Sequence, residues 1–168
     1  MNKICFSHGQ ESGPWGTKIR AMSETAKDAS WVVDSLDYRG VKDPMDRVEM
    51  LVEYCGTQPD SLVLVGSSMG GFVATAAASR VGARGLFLLA PAFYLPGYEE
   101  NLPAPPICPT LIVHGWRDEI VPWQGSVRYG SATRARLMLL DGDHRLTANI
   151  DAINCLFAAF LNELTDGT

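Results

Sequence analysis

The chain has 168 residues, 46% hydrophobic and 20% charged, with 14 basic against 19 acidic side chains and a formal charge of −5. This length and balance describe one globular domain with a substantial core, expected to span residues 1–168. The acidic excess argues against nucleic acid or an anionic membrane as partner, since both bind basic patches, and no run of 18 apolar residues is available to cross a bilayer.

In chain order, the first strand is expected over residues 3–7, running into a loop with glycine and proline, His8-Gly9-Gln10-Glu11-Ser12-Gly13-Pro14. Residues 15–29 read as an amphipathic helix with Ile19, Met22 and Ala26 facing inward. A second strand over 31–36 ends at Asp37-Tyr38-Arg39-Gly40, and Asp43-Pro44 opens a second helix, where proline suits the first turn. Met45, Val48, Leu51, Val52 and Cys55 form the apolar stripe of that helix, which residues 56–60 close. The third strand, Leu62-Val63-Leu64-Val65, is four consecutive branched apolar residues, as in a strand buried on both faces. An Ala-rich helix follows, to about Gly82, then a strand over 85–90 stopped by Pro91.

Residues 91–109 are the longest irregular stretch, with Phe93, Tyr94, Tyr98, Glu99 and Glu100, and read as a loop or short helix over the end of the sheet. A fifth strand over 110–114 leads into Gly115-Trp116-Arg117-Asp118-Glu119-Ile120-Val121-Pro122, with a short helix beginning near Trp123. The sixth strand, 136–140, precedes Asp141-Gly142-Asp143-His144-Arg145, and a helix over 150–164 carries Ile153, Leu156, Phe157, Phe160, Leu161 and Leu164 on one face. There are no internal repeats. Strands alternate with helices throughout, which predicts a parallel sheet with helices on both faces, a three-layer α/β/α sandwich. Active sites in such sheets lie beyond the carboxyl ends of the strands.

The first residues, Met1-Asn2-Lys3-Ile4-Cys5-Phe6, carry no signal-peptide hydrophobic stretch or cleavage site, so a cytoplasmic protein is expected. Cys5, Cys55, Cys108 and Cys155 are scattered without C-x-x-C or metal-ligand spacing and read as reduced structural thiols, Cys5 as core.

Chemistry concentrates at the strand ends. Gly66, Ser68 and Gly70 fit G-x-S-x-G between a strand and a helix, the context that pattern needs. The five residues are common ones, so the flanking elements carry the signal. The tight turn leaves no room for side chains two residues either side of Ser68 and holds its hydroxyl at a helix N-terminus, where developing negative charge is favoured. Serine needs a base, and imidazole titrates near neutrality. His8, His114 and His144 all follow strands, so position alone does not select among them. For an orienting acid, Asp118 competes with Glu119, Asp141 and Asp143. Asp143 is the immediate neighbour of His144, a spacing poorly suited to bonding its ring, and Asp141 reads as a cap for its loop. An oxyanion formed on a carbonyl also needs backbone N–H donors. Met69, directly after the serine, is one expected donor, and Gln10 is the other, with Glu11 as second choice.

Together, His8-Gly9, Gly66-Ser67-Ser68-Met69-Gly70, the tract from His114 to Pro122, and Gly142-Asp143-His144 resemble the α/β-hydrolase family over essentially the whole chain. The family order Ser…Asp…His then points to Ser68 as nucleophile, Asp118 as orienter and His144 as base. The resemblance implies hydrolysis of carboxylic esters, thioesters or related acyl compounds through an acyl-enzyme, with no metal or organic cofactor. It implies about six strands in the order 2-1-3-4-5-6, a minimal version lacking the two N-terminal strands and a lid domain. An uncovered site favours small acyl groups over long lipids. Phe93, Tyr94, Trp116, Trp123 and Trp15 are candidates for an aromatic rim or for ordinary loop packing. A thioesterase or small peptidase would use the same triad, and a non-catalytic scaffold would bind protein through residues 91–109.

Overall fold

Leu62, Val63, Leu64 and Val65 are each at most 2% exposed and form the heart of a central strand, β3 (Leu62–Ser67). The computed structural model describes residues 1–56, 61–96 and 103–166. The predicted closure of the second helix over 57–60, and Tyr98, Glu99 and Glu100, lie outside the described residues.

Around β3 stand β1 (Lys3–Ser7), β2 (Val32–Leu36), β4 (Gly85–Leu89), β5 (Thr110–Gly115) and β6 (Arg136–Leu140). They form one parallel sheet in the order β2-β1-β3-β4-β5-β6, as expected. The helices are α1 (Thr17–Asp28), α2 (Pro44–Cys55), α3 (Met69–Val81), α4 (Trp123–Thr133) and α5 (Ile150–Asp166), the last preceded by a 3-10 turn, Thr147–Asn149. Strand side chains alternate between two cores, as a period of two requires. Ile4, Phe6, Val63, Val65, Phe87 and Leu89 pack with α1 and α5 on one face. Cys5, Leu62, Leu64, Leu86 and Leu88 pack with α2, α3 and Tyr129 of α4 on the other.

Local chemistry explains the element ends. Asp43 caps α2, its carboxylate accepting from Met45 N at 2.7 Å, with Pro44 at the first helical position. Gly82, in the left-handed region at φ +66°, closes α3. One predicted stripe needs correction: the buried face of α2 is Arg47, Val48, Leu51 and Cys55, while Met45 is exposed. A cation thus replaces an apolar residue on the inward face, because backbone carbonyls wait for it there. The strand ends are level: Ser7 pairs with Gly66, Ser67 with Leu89, and Gly115 with Leu140. The loops after β1, β3, β4, β5 and β6 therefore leave from one edge. Among the described residues no helix is long and apolar enough to cross a membrane.

Candidate active site

Ser68 is the sharpest feature of that edge. Its backbone lies at φ 56°, ψ −121°, a conformation non-glycine residues rarely adopt, which costs about 1–3 kcal/mol. The surroundings over-determine it. Ser68 N donates to Leu89 O at 2.9 Å, and Ser68 O accepts from Gly71 N at 3.0 Å and Ala92 N at 3.0 Å. A Cβ on Gly66 would collide with Gly70 O, and one on Gly70 would collide with Ser7 O. Both glycines of the motif are therefore needed for close backbone approach. Ser68 stands at the N-terminus of the 13-residue α3, whose first amide belongs to Met69.

At the ends of β5 and β6, Asp118 and His144 meet. His144 Nδ1 lies 2.7 Å from Asp118 Oδ2, across 26 residues of chain. The Asp118 side chain is fully buried and takes three further donors. Oδ1 accepts from Ile120 N at 2.9 Å and Val121 N at 2.8 Å, and Oδ2 also lies 3.0 Å from His114 Nε2. Burial pushes the Asp118 carboxyl up, but the hydrogen bond from His144 and those from Val121 and Ile120 outweigh it, so its pKa falls below the ordinary carboxyl value. Because Nδ1 of His144 serves the carboxylate, Nε2 is the nitrogen left for a proton from elsewhere. The two loops are tied together by Arg117 N donating to Gly142 O at 3.0 Å, and a Cβ on Gly115 would collide with Gly142 O.

The loop after β1 closes on Ser68 from the other side. A Cβ on Gly9 would lie 3.4 Å from Ser68 Cβ, so Gln10, the expected second amide donor, is one residue from contact with the serine. Gln10 is exposed. Lys18, in the first turn of α1, is within electrostatic reach of Asp143 and Asp118. Burial pushes the Lys18 ammonium down to about 8, partly offset by those two carboxylates.

Several competing candidates find other partners. His8 is fully buried, its Nδ1 2.7 Å from Gly9 O and its Nε2 accepting from Tyr38 N at 2.8 Å. It braces the β1 loop. His114 supports the acid directly. Asp141 does not cap its loop; it pairs with Arg117 at 2.6 Å. Asp143 is the cap, Oδ1 accepting from Arg145 N and Leu146 N. Glu119 is exposed. Phe93 is 1% exposed and stacks on Tyr129, so it belongs to the core and not to a rim, whereas Trp116 is exposed and meets Trp123 edge-on at 4.8 Å. Sequence reasoning missed Arg47, Lys18 and Ser126 as parts of this edge. A cation on the apolar stripe of α2 was the one available signal. Among the described residues no group of three or more His, Cys, Asp or Glu is arranged to hold a metal ion.

Comparison with known proteins agrees with this architecture. The model of the alpha/beta hydrolase domain family matches residues 35–152. A crystal structure from Xanthomonas campestris pv. campestris, solved as a hydrolase of the alpha/beta superfamily, is 31% identical, with 97% of this chain and 99% of that one covered and a TM-score of 0.84. Est1E from Butyrivibrio proteoclasticus has the same fold at 18% identity, with 98% and 88% covered and a TM-score of 0.81. An a/b serine hydrolase without lid from Xanthomonas campestris superposes at a TM-score of 0.76 and 16% identity, with 96% and 81% covered. No curated protein matches by sequence. With its sheet order, its strained serine turn and a family match over most of its length, the chain belongs to the α/β-hydrolase family.

Proposed function

We propose that this protein is a serine hydrolase that cleaves carboxylic esters of small acyl groups through an acyl-enzyme. The carrying observation is the 2.7 Å bond between Asp118 and His144 on the sheet edge that also bears Ser68 at the head of α3. In this reading Ser68 Oγ attacks the ester carbonyl carbon while His144 Nε2 takes its proton. Asp118 holds the ring by Nδ1 and stabilises the imidazolium. The carbonyl oxygen, now an oxyanion, takes N–H donors from Met69 and Gln10, each worth about 10²–10³ in kcat. Collapse of the tetrahedral intermediate breaks the bond to the alkoxy oxygen, which leaves as the alcohol with the proton from His144. Water then attacks the acyl-enzyme with His144 again as base. The carboxylic acid departs and Ser68 regains its proton.

Small acyl groups fit this reading because the connection from β4 to β5, residues 90–109, is too short to make a covering domain. A lidless serine hydrolase among the proteins of this fold supports the same view. The cytoplasmic setting belongs to the proposal too, and the four cysteines, scattered without C-x-x-C or metal-ligand spacing, support it. The test is labelling with a fluorophosphonate and mapping the adduct by mass spectrometry. Ser68 should carry it, and Ser68→Ala should lose both labelling and turnover of 4-nitrophenyl acetate. Turnover retained by that variant would overturn the assignment. A panel of esters, thioesters and amides with the same acetyl group sets the leaving-group class, and acyl chains of rising length set the acyl limit.

A further inference from the structure

Arg47 lies under the loop after β1 and is only 2% exposed. Its Nη1 donates to Gly9 O at 3.2 Å and His8 O at 3.3 Å, and its Nε donates to Val41 O at 2.7 Å. The guanidinium also sits 5.2 Å from the centre of the Tyr38 ring. Burying such a charge is costly, and an apolar side chain of similar volume would commonly serve stability as well or better. Something other than packing therefore accounts best for its place on the inner face of α2.

The bonds turn the peptide planes of the loop. His8 Nε2 accepts from Tyr38 N at 2.8 Å, so in the neutral ring the proton sits on Nδ1 and donates to Gly9 O at 2.7 Å. Burial lowers the pKa of His8 and keeps the ring neutral. Gly9 O thus accepts two inward donors, Arg47 and His8. No peptide here is cis, and in a trans peptide the carbonyl and the following N–H point in opposite directions. A Gly9 carbonyl fastened inward sends the Gln10 N–H the opposite way, and Gly9 itself abuts Ser68.

We propose that Arg47 is a positioning residue that fastens the Gly9–Gln10 peptide plane so that the Gln10 amide faces the oxyanion formed on attack by Ser68. The inference rests on the serine-hydrolase reading above. Losing the clamp leaves the donor present but misdirected, so the cost should be smaller than deleting a donor outright, about 10- to 100-fold in kcat.

The test compares the parent with Arg47→Met and Arg47→Lys, using 4-nitrophenyl acetate turnover, a boronic acid that forms a tetrahedral adduct, and titration of labelled Ser68. Labelling of the parent at Ser68 secures the underlying reading first; a parent without labelling or turnover fails that reading, and this inference with it. With labelling secured, Arg47→Met should lose kcat per titrated site with KM changed less than about threefold, and should bind the boronic acid more weakly by the same factor as its loss in kcat/KM. Arg47→Lys should fall between the two, having the charge but not the fork. Addition of ethylguanidinium to Arg47→Ala should restore part of kcat. Near-UV circular dichroism checks the fold; where Arg47→Met does not fold, Arg47→Lys and Arg47→Gln carry the same comparison. Parental kcat per titrated site and parental boronic-acid affinity in a folded variant would overturn the proposal, because a purely structural arginine changes the number of active sites and not the rate of each.

Discussion

Ser126 Oγ lies 2.7 Å from Nδ1 of His114, with both residues fully buried. The other ring nitrogen, Nε2, faces two acceptors, Asp118 Oδ2 at 3.0 Å and Val121 O at 2.9 Å, so it carries the proton. Burial lowers the pKa of His114 and keeps the ring neutral, leaving Nδ1 as acceptor for the Ser126 hydroxyl. Asp118 is thus held from beneath by one imidazole and engaged from above by a second, that of His144.

Replacing His114 by Phe removes one donor from a buried carboxylate. The variant should unfold about 1–3 kcal/mol more easily in urea, and its ester kcat should fall about tenfold as Asp118 loses its fixed orientation. Ser126→Ala, which removes only a hydroxyl, should cost about 0.5–1.5 kcal/mol with a smaller kinetic effect. Equal stability of parent and His114→Phe would show that the lower imidazole does not hold the acid.

Asp118→Asn should reduce kcat by roughly 10³–10⁴ while leaving the fold intact, since an amide presents the wrong partner to His144 Nδ1. The variant also yields a pH signature. Hydrogen bonds overcome burial to hold the Asp118 carboxyl below its ordinary value in the fold. A depressed carboxyl contributes stability above the unfolded pKa, about 3.9, and that contribution is lost as pH falls through the folded value. The stability advantage of the parent over Asp118→Asn should therefore narrow below about pH 4 in urea unfolding. An advantage that grows in acid would contradict the direction of the shift.

Gly70→Ala would drive a methyl group into Ser7 O, with His8 O only 2.7 Å away. Neither backbone oxygen can move without unseating β1 or its loop. We expect a loss of about 1–3 kcal/mol or more and loss of Ser68 labelling. Gly130→Ala is the control. It lies inside α4, where the nearest atom to an added Cβ is 3.7 Å away, and should gain up to about 1 kcal/mol from helix propensity. Thermal melts of the two variants side by side decide whether close approach, and not glycine content, matters at position 70.

Lys18 pays for burial of its ammonium, and its pKa falls to about 8. In the unfolded chain it titrates near 10.4. Below pH 8 the ammonium is charged in both states and its cost is complete; between about pH 8 and 10.4 only the folded state sheds the proton, so stability recovers as pH rises. Lys18→Met should therefore melt higher than the parent at pH 7, with the difference shrinking above pH 8. A difference independent of pH would mean that packing, not charge, sets the effect.

Much of this molecule is legible in one dimension. The apolar run at 62–65, the period of α5 and the glycines around Ser68 announce strand, helix and turn, because each depends on neighbours a few residues away. The alternation of strands and helices then limits the sheet to few arrangements, and the family resemblance named the observed one. The strained backbone of Ser68 was legible as well, since glycines at 66 and 70 have little other reason to flank it.

Which polar groups meet was decided only by the folded chain. Three histidines follow strands, and nothing local distinguishes the one that engages Asp118 from above, the one that props it from below, and His8, which braces the β1 loop. Asp143 took the capping role expected of Asp141, because the path of the β6 loop puts Arg117 beside Asp141 and the amides of Arg145 and Leu146 beside Asp143. Arg47 takes a place on the inward face of α2 that the expected apolar stripe did not include, because the carbonyls of Gly9 and His8, 38 and 39 residues away, meet it there from the loop after β1. Periodicity encodes which face of an element is buried. It does not encode what a loop brings to that face, and a hydrogen bond exists or not within a few tenths of an ångström of that meeting.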